Sequence, residues 1–396
     1  MAESQNHDQT QSPDGSGGGK DWHTPVKRQP DKRRVLTIEE VEVVVEPGRV
    51  LSWQEFKSSS PAGSIALDGY VKGATLFDET GPWVNFNHHE GVDRLSTSST
   101  CLQVLLYIKA GFIDHFTNNT KLNLRAYVND CDQDTCLAIW LLANHKRVLG
   151  TKSEDKIEKL VYTENCLDIF GGAYPYTLDD QMISELAWIF EPYTESRAHT
   201  KFMDAAKMAW VVKAVCKRIS AFADGLGKRI LPRADYKHIY EVFPEIQTAA
   251  RGWAFVAQEE TYARLRLVSD YDAFVSLLGE DNGYFKYTIG KLKAMAAFPV
   301  RELYEVMNAA ESLKGNKINE SNNWSGSDNM GGSPRGSGSL ITPKEMLELV
   351  NTFLDYYLQD EYNELRKEFF LRIIVPSIVG IPGPTYLQGQ TSKSFN

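Results

Sequence analysis

Twice within its first 150 residues the chain runs from a strand-like apolar segment through a polar cluster into a helix-like segment. Trp83-Val84-Asn85-Phe86 leads into Asn87-His88-His89-Glu90-Gly91-Val92-Asp93-Arg94, then into the run Cys101 to Ile108. Leu122 to Val128 leads into Asn129-Asp130-Cys131-Asp132-Gln133-Asp134, then into Cys136 to Leu142. This repeated pattern predicts an α/β fold around a mostly parallel sheet with flanking helices. Such sheets gather their ligands at the carboxyl ends of the strands, where both polar clusters would fall.

The rest of the chain sets the bounds. With 396 residues it can bury a full core and should split into about two domains. No apolar run approaches the roughly 20 residues of a spanning helix, so no membrane partner is expected. Residues 1–34 are polar and rich in Gly, Ser, Asp and Gln, and are expected to form a disordered tail rather than a signal peptide. Five cysteines without a secretory signal argue for a reducing interior, with the cytoplasm as the default. A formal charge of −9 argues against extended duplex nucleic acid as a partner, because duplex affinity rests on Lys and Arg neutralising phosphates. Lys27, Arg28, Lys32, Arg33 and Arg34 end the tail as a solvated linker, or as a weak polyanion-binding arm.

Along the chain, Val35 to Ile38 and Val41 to Val45 read as strands, as do Ser64 to Asp68, with a carboxylate at its end, Gly73 to Phe77 and Trp83 to Phe86. An α/β metal-binding domain is expected over 35–200. Lys201 to Leu226 reads as a long helix, and 201–235 as the connector between domains. A smaller α+β domain is expected over 236–396. In it Trp253 to Val256, Leu265 to Val268 and Phe285 to Ile289 read as strands, and Tyr271 to Leu278 and Arg301 to Leu313 as helices. A Gly-, Ser- and Asn-rich loop spans 315–339, long enough to be a functional lid. Thr342-Pro343-Lys344-Glu345 is a helix start, and a long C-terminal helix is expected from there towards Phe370.

Three clusters carry the candidate chemistry. In a regular strand adjacent residues point to opposite faces, so one of His88 and His89 would ligate a metal while the other faces substrate. The plainer alternative is a pair of turn histidines bonded to backbone carbonyls. Asp130-x-Asp132-x-Asp134 sets three mutually repelling carboxylates between strand and helix, which is costly without a cation or basic groups. Its alternative is an acidic turn with one Asp capping the helix. Asp168, before Gly171-Gly172, is either a further carboxylate ligand or a plain helix stop. Arg94 is close enough to such a site to contact phosphate, or it pairs with Glu90 or Asp93. The loop from Gly326 to Gly336, containing Gly331, Gly332 and Arg335, is a candidate phosphate clamp, although it matches no nucleotide fingerprint. Cys101, Cys131, Cys136 and Cys166 lack zinc-site spacing, which leaves Cys101 or Cys131 only as a conceivable nucleophile.

Taken together, Asn87-His88-His89-Glu90 resembles the Asp-His-His segment of the DHH phosphoesterase superfamily. Asp132 to Leu142 is similar to its metal-binding segment opening a helix, and Asn165 to Gly172 to its further aspartate segment. The resemblance covers about residues 65 to 172. It departs in two ways: Asn87 stands where the family has Asp, and the carboxylate segment follows the His-His segment instead of preceding it. The resemblance implies two divalent cations, typically manganese, with metal-bound hydroxide cleaving a phosphoester or phosphoanhydride.

On that basis His88, Asp130, Asp132, Asp134 and Asp168 are expected to hold the metals, with Asp68 or Asp78 bridging them. His89 and Arg94 would face the scissile phosphate, and Arg335, Gly331 and Gly332 would close on it from the second domain. The expected substrate is a small nucleotide or short oligonucleotide. Asp132→Asn or Asp134→Asn should abolish turnover and leave the melt in chelator nearly unchanged. The competing expectation is a degenerate, non-catalytic module that binds a nucleotide or a protein partner on the same fold.

Overall fold

The computed structural model describes residues 32–118, 121–150, 154–174, 179–199, 203–240, 252–320, 322–359 and 362–381. The expected tail lies almost wholly outside these residues. Among the described residues there are two six-stranded mixed sheets, each with its own core.

The first sheet uses β1 (Arg34–Ile38), β2 (Val41–Val45), β3 (Ser64–Leu67), β4 (Leu76–Asp78), β5 (Trp83–Phe86) and β6 (Arg125–Val128), in the order β1-β2-β6-β3-β5-β4. The four central strands are mutually parallel, and the edge strands β1 and β4 run antiparallel to their neighbours. Successive side chains alternate between two cores, as the period of a strand demands. Val44, Ala66 and Tyr127 pack with Phe56 of α1 (Trp53–Ser59). Val43, Val45, Ile65, Leu67, Ala126 and Val128 face a larger helical layer.

That layer contains α2 (Thr100–Lys109), α3 (Gln133–Ala143), α4 (Glu154–Ile169), α5 (Asp180–His199) and α6 (Ala205–Ala223). Asp204 caps α6, its side chain accepting from Lys207 N, and Val211, Val212, Val215 and Ile219 are buried in the first core. The helix read as a connector from sequence therefore packs under the first sheet. The irregular segment 226–236 leads onward, running past α5 through Arg229 and Glu185.

The second sheet uses β7 (Lys237–Tyr240), β8 (Trp253–Ala257), β9 (Ala273–Asp281), β10 (Tyr284–Lys291), β11 (Ser325–Gly326) and β12 (Met330–Gly332), in the order β11-β12-β10-β9-β8-β7. Only β8 and β9 are parallel, so this sheet is mainly antiparallel. One face is covered by α7 (Ala263–Asp270), the other by α8 (Val300–Leu313) and α9 (Pro343–Tyr357).

Three expectations fail here for physical reasons. Leu265 to Val268 lies in α7, where Ala263 and Leu267 share the buried face at helical spacing. Tyr271 to Leu278 contributes to β9, in which Ala273 to Ser276 are all buried, so the two-sided burial of a central strand masks its alternation. The long C-terminal helix is broken. After α9, whose cap is Thr342 in a full capping box, come α10 (Glu364–Phe369), a π-helical turn Phe370–Ile374 and α11 (Val375–Ile378). No helix among the described residues is long and apolar enough to cross a membrane.

Candidate metal centre

The centre lies where the carboxyl ends of β3 and β5 meet the first turns of α2 and α3 and the last turn of α4. Asp68 follows directly on β3 in the left-handed region, φ 49°, a conformation that Gly, Asn and Asp enter more readily than other residues. Its Oδ1 accepts from Thr100 Oγ1 at 3.1 Å and from His89 Nε2 at 2.7 Å, and its Oδ2 from Thr135 Oγ1 at 3.2 Å. Three elements thus fix one carboxylate.

His88 is fully buried. Its Nε2 lies 2.8 Å from Asp168 Oδ2, 3.4 Å from Asp68 Oδ1 and 3.7 Å from Asp134 Oδ2. Yet neither ring nitrogen makes a hydrogen bond of acceptable geometry. Buried polar groups nearly always have partners, so a buried imidazole paired with carboxylates by charge but aligned for a hydrogen bond with none needs an explanation. Burial works against charge on His88, but Asp168 and Asp68 outweigh it and raise its pKa to about 10.

His89 does not point away from its neighbour. The chain has left strand geometry at Asn87, whose Oδ1 accepts from His89 N at 3.1 Å, and both rings reach Asp68 with centroids 4.4 Å apart. Arg94 Nη1 lies 3.4 Å from His89 Nδ1, which suits a tautomer with the proton on Nε2, the atom facing Asp68. Arg94 Nη2 donates to the Asp168 carbonyl at 3.1 Å and lies 3.4 Å from each carboxylate oxygen.

Asp134 accepts the N–H groups of Thr100 and Cys101 at 2.7 Å each, so it stands at the positive end of α2. Even so, burial and the charges of Asp168 and Asp68 raise its pKa to about 6. Asp132 caps α3, accepting from Thr135 N at 2.9 Å; burial and four surrounding aspartates hold its carboxyl well above the usual range. For Asp68, burial pushes up, but His89 and His88 prevail and hold it well below. Asp168 is likewise lowered against its burial, chiefly by His88.

Two overlapping sets have ligand atoms close enough to share an ion: Asp68, His88 and His89, and His88, Asp134 and Asp168. The residues fit a cation. Carboxyls of Asp68, Asp132, Asp134, Asp168 and Glu164 crowd together, with only His88, His89 and Arg94 as their basic neighbours among the described residues.

The other sequence candidates stand elsewhere. Asp130 turns outward to Arg197 and to Cys131 N. Asp78 pairs with Lys57 at 2.9 Å on the sheet edge, so of the two suggested bridging aspartates only Asp68 joins the cluster. Gly331 and Gly332 pair in the sheet with Ile289 and Thr288, and Arg335 is exposed in the turn beyond them. Cys101 and Cys131 are buried, and burial pushes both thiols up, away from the thiolate a nucleophile needs.

Sequence reasoning missed Glu164. It is buried one turn before Asp168, beside the Gln133 side chain, which donates to it at 3.0 Å once the amide is turned to bring its nitrogen to the acid. The spacing of Glu164 and Asp168 on one helix was a readable signal. The second unit meets this edge through residues other than the expected Gly331, Gly332 and Arg335. Arg94, Phe170 and Gly171 meet Lys291, Ser327 and Met330 across a cleft whose free volume, about 10 Å³, suits a single water.

No family model, curated protein or solved structure matches this chain.

Proposed function

We propose that the chain is a metal-dependent phosphohydrolase acting on a phosphoester or phosphoanhydride of a small nucleotide or short oligonucleotide. One observation carries the reading. His88 is buried without a hydrogen bond and is ringed by carboxylates from three separate elements at the carboxyl edge of the parallel strands. His88, Asp134 and Asp168 would hold one ion, and Asp68 with His88, and His89 when it is not engaged with substrate, would hold the other. Divalent cations, manganese first among them, supply Lewis-acid polarisation of a phosphoryl oxygen and activation of water.

The protein's own groups do the rest. Thr100 and Thr135 hydroxyls orient Asp68, and the start of α2 orients Asp134. Arg94, beside His89 and Asp168, would offer a fork suited to phosphate once substrate competes with Asp168 for it. His89, partly exposed, has the position from which to exchange a proton with a leaving group.

The alternative is a binding module with a degenerate site, and Asn87 favours it. Asn87 directs its amide to Gly73 O at 2.8 Å and Val71 O at 3.3 Å, so it acts as a loop tie where the resemblance would put an acidic ligand. Elemental analysis of purified protein, followed by hydrolysis assays on p-nitrophenyl phosphate and dinucleotides with added manganese, separates the two. Bound transition metal with chelator-sensitive turnover supports the hydrolase. Metal-free protein inactive with every cation overturns it.

A further inference from the structure

The helix that carries Glu164 and Asp168 is gripped by the second unit at one corner. The segment opening α7 supplies Tyr262, which is buried among the first core's residues, and two positions later Arg264. Arg264 Nη1 donates to the Gly171 carbonyl at 2.7 Å, immediately past the end of α4, and lies 3.1 Å from Met330 Sδ. Its Nε bonds Glu259 Oε1, and its guanidinium lies 4.5 Å over the Phe274 ring. A planar cation with one face on an aromatic ring and its Nε tied to a carboxylate has little freedom left.

On the other side, the Asp168 carboxylate touches His88, and Arg94 holds both its carbonyl and its oxygens. Asp168 thus lies three residues from a carbonyl fixed by the second unit. Gly171 allows this approach because a Cβ there would meet Met330 Cε at 2.2 Å.

We propose that Arg264 is a positioning residue: by holding the Gly171 carbonyl it couples the seating of the second unit to the placement of Asp168 in the metal centre. This rests on the metal reading above. Groups that orient a ligand from outside the coordination sphere typically change metal affinity by about 10- to 100-fold. A lysine at 264 can still donate to the carbonyl; an alanine cannot.

The test is calorimetric titration of Mn²⁺ into the full chain for wild type, Arg264→Ala and Arg264→Lys, with melting in chelator alongside. The expected result is Mn²⁺ affinity about tenfold or more weaker in Arg264→Ala, with Arg264→Lys recovering most of it. If Arg264→Ala does not fold, Glu259→Gln, which loosens the anchor of Arg264, should weaken Mn²⁺ binding in the same direction. Wild-type affinity in Arg264→Ala, or in Glu259→Gln where that stands in, overturns the coupling and leaves the metal centre intact. Wild-type protein that takes up no Mn²⁺ overturns the metal reading and the coupling with it.

Discussion

Asp134 of one helix closes the start of another: its two carboxylate oxygens accept the backbone N–H groups of Thr100 and Cys101, at 2.7 Å each. The first turn of α2 is thereby built on a side chain of α3. Any cation bound by Asp134 would use lone pairs that these bonds leave over.

This pairing changes what Asp134→Asn should do. Asparagine offers one oxygen and turns an amide N–H₂ towards a buried N–H. The variant should lose about 1–3 kcal/mol of stability even in chelator, read from urea unfolding. An unchanged unfolding midpoint would contradict the cap. Asp132→Asn can retain its bond to Thr135 N through the amide oxygen, so its loss should be smaller.

Metal should stabilise the native chain through His88. At a Mn²⁺ concentration 100 times its Kd, linkage predicts about 2.7 kcal/mol of added stability. His88→Gln should remove most of that gain, and thermal melts with Mn²⁺ and with chelator give the comparison. A gain in His88→Gln equal to that of wild type would place the ions elsewhere.

Asp68 and Asp78 should behave as opposites. Asp68→Asn should abolish Mn²⁺ binding, and Asp78→Asn should leave it unchanged in the same titration. Asp78 has its own signature. Hydrogen bonds from Thr80, then Lys57, lower its pKa to about 2. Its contribution to stability is full above its unfolded pKa, about 3.9, and is lost as pH falls through about 2. The melting difference between wild type and Asp78→Asn should therefore be present at pH 5 and vanish near pH 2.

Glu311 organises the glycine-rich loop. Fully buried, it accepts from Trp324 Nε1 at 3.1 Å, Asn316 Nδ2 at 2.7 Å and Leu340 N at 2.9 Å. Glu311→Ala leaves the buried Trp324 N–H without its acceptor and removes one acceptor each from Asn316 and Leu340, and should cost about 3 kcal/mol. Glu311→Gln should cost less. Urea unfolding followed by Trp fluorescence measures both.

The first sheet was legible in sequence because its strands end in unmistakable polar clusters, and His88, Asp134 and Asp168 do meet there. What failed was the direction of side chains in irregular backbone. Asp130 and Asp132 share an alternating pattern, yet the chain turns between them, sending Asp130 to Arg197 and Asp132 to cap α3. Strand logic separated His88 from His89, and the turn at Asn87 reunited them on Asp68. Glu164 went unnoticed because a lone Glu in a helix is ordinarily solvated, and only tertiary packing buries this one. In the second unit, burial on both faces of β9 erased the period that distinguishes strand from helix.

Gly171 ends α4 with φ 59° and has Met330 packed where a side chain would stand. Positions 171 and 330 are far apart in sequence but share one small volume, so substitution at either is judged by the other. A larger residue at 171 would need a left-handed backbone, and the flexible end of Met330 would have to swing out of the space it fills. Across variants of this chain glycine, or a residue tolerant of the left-handed backbone, should therefore persist at 171, a pattern legible in sequences long before any assay is run.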